Sequence, residues 1–122
     1  MKRLACALAA LFIFCAFAPS TTPTISTSWV TVCEAATETF PNVTFAVSNT
    51  GANPFTACRV QAWSGPTATD WKDISTTWAE CSTLAASTSS LWSIAGNSYL
   101  RLRVQIQSTA GTSAYCKPSG DR

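Results

Sequence analysis

The segment Tyr99–Gln107 (YLRLRVQIQ) alternates apolar and polar residues without a break. Its apolar residues are Leu100, Leu102, Val104 and Ile106, and its polar ones are Arg101, Arg103, Gln105 and Gln107. In a strand, successive side chains point to opposite faces, so a period of two predicts a half-buried antiparallel β-strand. This is the clearest element of the sequence, and it favours an all-β fold.

Further short strands are predicted between clusters of turn residues. They are Trp29–Cys33, Asn42–Ser48, Phe55–Trp63, Leu91–Ile94 and Thr112–Cys116. Their apolar faces would supply a core of Val43, Phe45, Val47 and Val60, together with Leu100, Leu102, Val104 and Ile106. Residues 67–90 are consistent with one or two strands or with a long loop. The pattern predicts an all-β, two-sheet antiparallel β-sandwich, immunoglobulin-like or jelly-roll-like.

The first residues have the form of a secretory signal. Lys2 and Arg3 precede a charge-free run from Leu4 to Ala18. A membrane-spanning helix needs roughly twenty residues, so a cleaved signal is favoured over an anchor. We therefore expect an N-terminal signal helix within residues 1–20, a Ser/Thr/Pro-rich linker or tail at 21–28, and one β-sandwich domain at 29–122.

Removing this segment changes the charge of the chain. The whole sequence has eight basic and six acidic residues. Without Lys2 and Arg3, two of those eight, six basic residues balance six acidic ones. Proteins that bind nucleic acid carry a clustered basic excess, so the composition argues against that class of partner.

Four cysteines remain outside the predicted signal: Cys33, Cys58, Cys81 and Cys116. An even number in an exported chain predicts two disulfides and a secreted, extracellular or periplasmic location. Of the three possible pairings we favour Cys33–Cys116, which would join the first strand of the domain to the last, with Cys58–Cys81. The sequence has no CxxC pair and no histidine, which disfavours zinc. We expect no metal and no cofactor.

Catalysis has few candidate residues. Without histidine the chain lacks the usual general base. Asp70 and Asp73 flank Trp71, and a glycosidase uses two carboxyl groups beside an aromatic platform. However, a spacing of three residues in a loop does not fix such a geometry, and the run also lacks the Asp/Asn/Gly pattern of a calcium loop. A solvated acidic loop is the better interpretation, and we expect no enzymatic activity.

Binding is better supported by the polar side of the predicted strands. If Phe55–Trp63 lies in one sheet with Tyr99–Gln107, their polar residues share a surface, and Trp71 adds a second aromatic. The candidate binding residues are Arg59, Gln61, Trp63, Trp71, Arg101 and Arg103. Arginine pairs with carboxylates and stacks on rings, and tryptophan is enriched at interfaces. The alternative is a solvated sheet face, with the tryptophans packed in the core.

Two stretches resemble a known class of proteins. They are NTGANPFTACRVQAW (49–63) and TLAASTSSLWSIAGNSYLRLRVQIQSTAG (83–111). Together they resemble small β-sandwich proteins of tailed phages and prophages. The resemblance implies a non-enzymatic virion or surface component and transfers no catalytic residue. An export signal and four mature cysteines depart from that class.

The leading functional hypothesis is an exported, non-catalytic β-sandwich that acts at the cell surface or outside as a binding or adhesion module. Its partner would be a glycan, a protein surface or further copies of the chain. The alternative is a structural subunit of a phage virion or surface filament, in which the tail at 19–28 or an open strand edge pairs with a neighbour. A glycan-active enzyme is the third hypothesis.

Overall fold

The computed structural model describes residues 22–67, 69–74 and 78–121. The predicted signal segment, residues 1–20, lies outside them. The described elements are β1 Thr24–Ile25, β2 Val30–Ala36, β3 Asn42–Asn49, β4 Ala57–Trp63, β5 Trp71–Asp73, the short helix α1 Ala79–Ser82, β6 Ser89–Ile94, β7 Arg101–Gln107 and β8 Thr112–Asp121.

The strands form two antiparallel four-stranded sheets. Sheet I has the order β1-β8-β3-β6, and sheet II has the order β2-β7-β4-β5. The predicted all-β, two-sheet antiparallel sandwich is confirmed. In sheet II, β4 lies between β7 and β5, so β4 and β7 are neighbours, as the sequence hypothesis required.

The core lies between the sheets and follows the predicted alternation. Val43, Phe45 and Val47 face inward from β3, and Val60 does so from β4. From β7, Leu102, Val104 and Ile106 are fully buried. Full burial of one such side chain contributes about 1.5–3 kcal/mol, so this interleaved set dominates the stability of the sandwich.

Leu100 was predicted in the core and is instead 48% exposed. The ladder of β7 begins only at Arg101. Before it, the chain is held by Asn97, whose Oδ1 accepts from the backbone N–H of Tyr99 at 3.1 Å, and by Thr37, whose backbone N–H donates to the carbonyl of Leu100 at 2.8 Å. The alternation of the sequence therefore begins at Tyr99, two residues before the strand does.

The Ser/Thr/Pro-rich segment 21–28 also differs from the prediction of a linker or tail. Thr24 and Ile25 pair with Ser113 and Thr112 of β8. Ile25 is completely buried and packs in the core cluster. This part of the segment therefore belongs to the sandwich, because one isoleucine in an otherwise polar stretch finds a place in the core.

Several strands have bounds that differ from the predicted ones. The strand β2 begins at Val30 and continues to Ala36, whereas β8 runs beyond Cys116 to Asp121 because it pairs along the whole of β3. Within 67–90 the described residues contain the three-residue strand β5, the single helical turn α1 and the first two residues of β6, and β5 and α1 are both very short. Neither has a run long enough to show a period in the sequence.

Both predicted disulfides are present. Cys33–Cys116 joins β2 of sheet II to β8 of sheet I, with 5.8 Å between the Cα atoms. Cys58–Cys81 ties β4 to α1, with a Cα–Cα distance of 5.7 Å. Two disulfides indicate an oxidising environment, extracellular or periplasmic.

Candidate binding face

The outer face of sheet II brings all six predicted binding residues together. We call this surface the arginine–tryptophan face and define it by Arg59, Gln61, Trp63, Trp71, Arg101 and Arg103. The register of β4 explains the grouping. Gln61 lies opposite Arg103 of β7 on one side, while Trp63 lies opposite Trp71 of β5 on the other. Residues paired in this way lie on the same side of a sheet, so three strands contribute to one surface.

The centre of the face is built around Gln61. Arg103 donates from Nε and Nη2 to Gln61 Oε1, at 2.9 and 2.7 Å. Gln61 in turn donates from Nε2 to Asp73 Oδ1 at 2.6 Å. The Arg103 guanidinium also lies 4.2 Å from the ring centroid of Trp71. These contacts leave Gln61 only 5% exposed although it points away from the core. Its amide is therefore fixed in one orientation.

Arg59 repeats this arrangement one row along the sheet. It donates from Nε and Nη2 to Gln105 Oε1, at 2.9 and 2.6 Å. Gln105 in turn donates from Nε2 to Thr31 Oγ1 at 3.0 Å. The Arg59 guanidinium lies 4.1 Å from the ring centroid of Trp29, and its Nη1 is 3.7 Å from Asp73 Oδ1. The nitrogens of Arg59 thus contact oxygen acceptors while its guanidinium lies against the Trp29 ring.

Arg101 occupies the third row, beside the tryptophan pair. Its Nη2 forms an ion pair and hydrogen bond with Glu34 Oε1 of β2. Its guanidinium lies 5.7 Å from the ring centroid of Trp63 and 5.4 Å from that of Trp71. A cation within about 6 Å of a ring face is attracted to it. Each arginine of the face therefore combines an oxygen acceptor with an aromatic ring.

The electrostatics of the face follow from this crowding. Burial lowers the pKa of the Arg103 guanidinium, Glu34 opposes the shift, and the neighbouring charges of Arg59 and Arg101 add to it. An arginine stays protonated despite such a shift because its ordinary pKa is so high. The three guanidinium groups therefore act on one another electrostatically, and the carboxylates of Asp73 and Glu34 form ion pairs with Arg59 and Arg101.

Three residues that contact the arginine–tryptophan face were not among the predicted binding residues: Trp29, Glu34 and Asp73. Trp29 immediately precedes β2, Glu34 lies within it, and Asp73 ends β5. Glu34 lies opposite Arg103 in the register of β2 with β7, and Asp73 lies opposite Gln61. The one available signal was the spacing of Trp71 and Asp73, which places both on one side of a strand. Their neighbours could be found only from the strand order.

The two carboxylates considered for catalysis, Asp70 and Asp73, make separate contacts. Asp70 Oδ2 accepts from the backbone N–H of Thr67 at 3.1 Å, and hydrogen bonds from Thr67 hold the pKa of Asp70 below its ordinary value. Asp73 accepts from Gln61 and belongs to the arginine–tryptophan face. The absence of enzymatic activity stays a prediction.

Four of the five tryptophans divide between the core and the outer face of sheet II. Trp78 is 6% exposed and donates from Nε1 to Ser90 Oγ at 2.9 Å. Trp92 packs on Phe45, with 6.0 Å between the ring centroids. Trp63 and Trp71 are half-buried on the outer face of sheet II. The core interpretation thus holds for the first two, whereas a binding role for Trp63 and Trp71 stays a prediction.

Within the described ranges, no three His, Cys, Asp or Glu side chains gather as a metal site would require. No enclosed pocket forms there either, so the arginine–tryptophan face is an open surface. None of the helices in the same ranges has the length and apolar character needed to cross a membrane.

Comparison with known proteins supports the fold. No family model and no curated protein matches the chain. Among solved structures, the crystal structure of PirA superposes with a TM-score of 0.53 at 20% sequence identity, over 84% of this chain and 93% of that one. The SPBc2 prophage-derived protein YomS gives a TM-score of 0.41 at 16% identity, over 83% of this chain and 95% of that one.

The similarity to PirA supports the sandwich fold and transfers no function. YomS is a prophage-derived protein.

Proposed function

We propose that this protein is an exported, non-catalytic binding module that uses the arginine–tryptophan face to bind a protein surface. Residues 1–20 act as its cleaved secretory signal. The observation that supports this most is the ordering of the three arginines, each held by an acceptor and a ring. Ordering a long side chain costs conformational entropy, and a face that has already lost it binds with a smaller penalty.

A protein surface fits this face better than a small molecule does. Small ligands bind in concave pockets that bury most of their area, whereas the arginine–tryptophan face is open. Tryptophan and arginine are also the residues most enriched among those that dominate protein–protein binding energy. The face carries three guanidinium groups against the two carboxylates of Glu34 and Asp73, so an acidic partner surface complements its excess positive charge.

The test uses the oxidised protein on an array of extracellular proteins and, in parallel, on a glycan array. We expect salt-sensitive binding to acidic proteins that Trp71→Ala or Arg103→Gln weakens at least about tenfold, which is 1.4 kcal/mol. Tyr115→Ala on the outer face of sheet I is the matched control and keeps the affinity. Binding restricted to glycans, or equal losses in all three variants, contradicts the proposal.

The structural-subunit alternative makes a different prediction. A virion or filament subunit assembles into large particles in the absence of any other protein, whereas a binding module does not. Light scattering on the oxidised protein separates the two, since open-ended assembly gives masses far above that of a dimer. The phage resemblance supports this alternative at the level of sequence only.

A further inference from the structure

The four edges of the two sheets are not equally protected against pairing with another chain. In sheet II, β2 carries Glu34 and a register shift between Thr31 and Cys33, and β5 has only three residues, among them Lys72. In sheet I, β1 covers only the start of β8, and the rest of that edge carries Pro118. Charges, bulges, short strands and proline are the devices that prevent edge pairing.

The fourth edge, β6, has none of these devices. Its sequence is SSLWSI, and its six residues pair with β3 in an unbroken register from Ser89 to Ile94. Within the described ranges, its other side has no strand paired with it. The helix α1 approaches β6 from the core side, where Ser90 bonds to Trp78 and to Glu80. The described residues thus leave the edge of β6 and its outer surface open.

The outward-facing residues of β6 are also self-complementary. They are Ser89, Leu91 and Ser93, a sequence that is the same in both directions. Leu91 is 67% exposed, the largest exposed fraction among the large hydrophobic side chains described. When two such strands run antiparallel about a two-fold axis at Leu91, leucine faces leucine and each Ser89 faces the Ser93 of the other copy. Because the strand is uncharged, no like charges oppose each other in this register.

We propose that β6 is a self-association edge. Two copies pair β6 with β6 antiparallel about a two-fold axis at Leu91, which joins their two copies of sheet I into one continuous sheet. The contact is isologous, so it closes at a dimer. It goes beyond the proposed function and leaves the arginine–tryptophan face of both copies free. An interface of one strand per copy is small, so the dimer is weak and depends on concentration.

The experiment measures the mass of the oxidised protein by sedimentation equilibrium from micromolar to millimolar concentration. We expect the mass to rise from monomer to dimer. Leu91→Lys places a charge at the axis and raises the dissociation constant at least about tenfold. Leu100→Lys is the matched control, because it replaces another exposed leucine outside β6 and leaves the constant unchanged. A monomer throughout, or equal shifts in both variants, overturns the proposal.

Cysteine substitution tests the register of the same interface. Directly opposed residues in an antiparallel pair have Cα atoms about 4.5–5.5 Å apart, within the range of a disulfide. Leu91→Cys should therefore form a covalent dimer on mild oxidation, and Leu100→Cys should not. Ser89→Cys faces Ser93 of the other copy and should also stay uncrosslinked. Crosslinking through position 89 in preference to 91 contradicts the proposed axis.

Discussion

The two outer faces of the sandwich carry different kinds of polar side chain on antiparallel sheets of the same size. On sheet I, short hydroxyl side chains pair across the strands: Thr44 with Ser93 at 2.8 Å, and Ser48 with Ser89 at 2.7 Å. On sheet II, long arginines reach across the strands to glutamines and tryptophans. Hydroxyl pairs lose little side-chain entropy, whereas ordered arginines lose far more. Solubility alone does not require arginines that have lost their conformational entropy. Functional tests should therefore target the outer face of sheet II.

The largest expected effect comes from breaking the connection between the two faces. Replacing Cys33 and Cys116 together by alanine should lower the free energy of unfolding by about 2–5 kcal/mol. The same change at Cys58 and Cys81 should cost about 1 kcal/mol less, because the separation is 23 residues instead of 83. Urea denaturation measures both. A greater cost for the shorter loop would contradict the chain-entropy explanation.

A smaller effect on the free energy of unfolding should distinguish the polar contacts of one outer face from those of the other. Gln61→Leu removes the acceptor of Arg103 and the donor to Asp73 at a position only 5% exposed. We expect a loss of about 1–3 kcal/mol, because the half-buried Arg103 loses both hydrogen bonds to Gln61, while the exposed Asp73 can bind water instead. The matched change on sheet I, Thr44→Val, leaves the exposed Ser93 free to bind water and should stay within about 0.5 kcal/mol. Equal costs in urea denaturation would remove the energetic difference between the faces.

A charge-conserving exchange should sharpen the same contrast. Arg59→Lys keeps the charge but loses the two bonds to Gln105 and the planar stack on Trp29. The expected cost is about 0.5–1.5 kcal/mol. The reverse exchange on sheet I, Lys117→Arg, should be close to neutral, which differential scanning calorimetry can show. If Arg59→Lys is neutral as well, the contacts of Arg59 are incidental to folding.

The sequence predicted the long strands because their alternation is a local property. The faces of β3, β4 and β7 follow from it, and so does the grouping of Arg59 and Arg103 once β4 and β7 are neighbours. The two-residue strand β1 is too short to show a period. Leu100 was misplaced because the alternation of residue types begins before the ladder of β7 does.

The missing members of the site have a different explanation. Glu34 and Asp73 reach the arginine–tryptophan face through β2 and β5, which lie on opposite edges of sheet II. Their place depends on which strands pair and in which register, and these are properties of the whole fold. The Cys33–Cys116 disulfide was predicted from the expectation that the strand of Cys33 and the last strand meet, and they do, although β1 precedes the strand of Cys33.

The smallest effect concerns the turn that joins β4 to β5 and so holds Trp71 beside Trp63. Hydrogen bonds from the Thr67 side chain and backbone lower the pKa of Asp70 below its ordinary value of 3.8, and Lys72 adds to the shift. A carboxylate whose pKa is depressed on folding contributes stability that is present above its unfolded pKa and is lost as the pH falls through the folded one. Wild type should therefore exceed Asp70→Asn in stability at neutral pH, and the difference should shrink below 3.8. Thr67→Ala removes the side-chain bond and should flatten this pH dependence, as thermal melts across the acid range can measure. If the stability difference between wild type and Asp70→Asn is the same in acid and at neutral pH, Asp70 does not act through its charge. The turn would then be stabilised by the backbone hydrogen bond from Ser64 to Asp70.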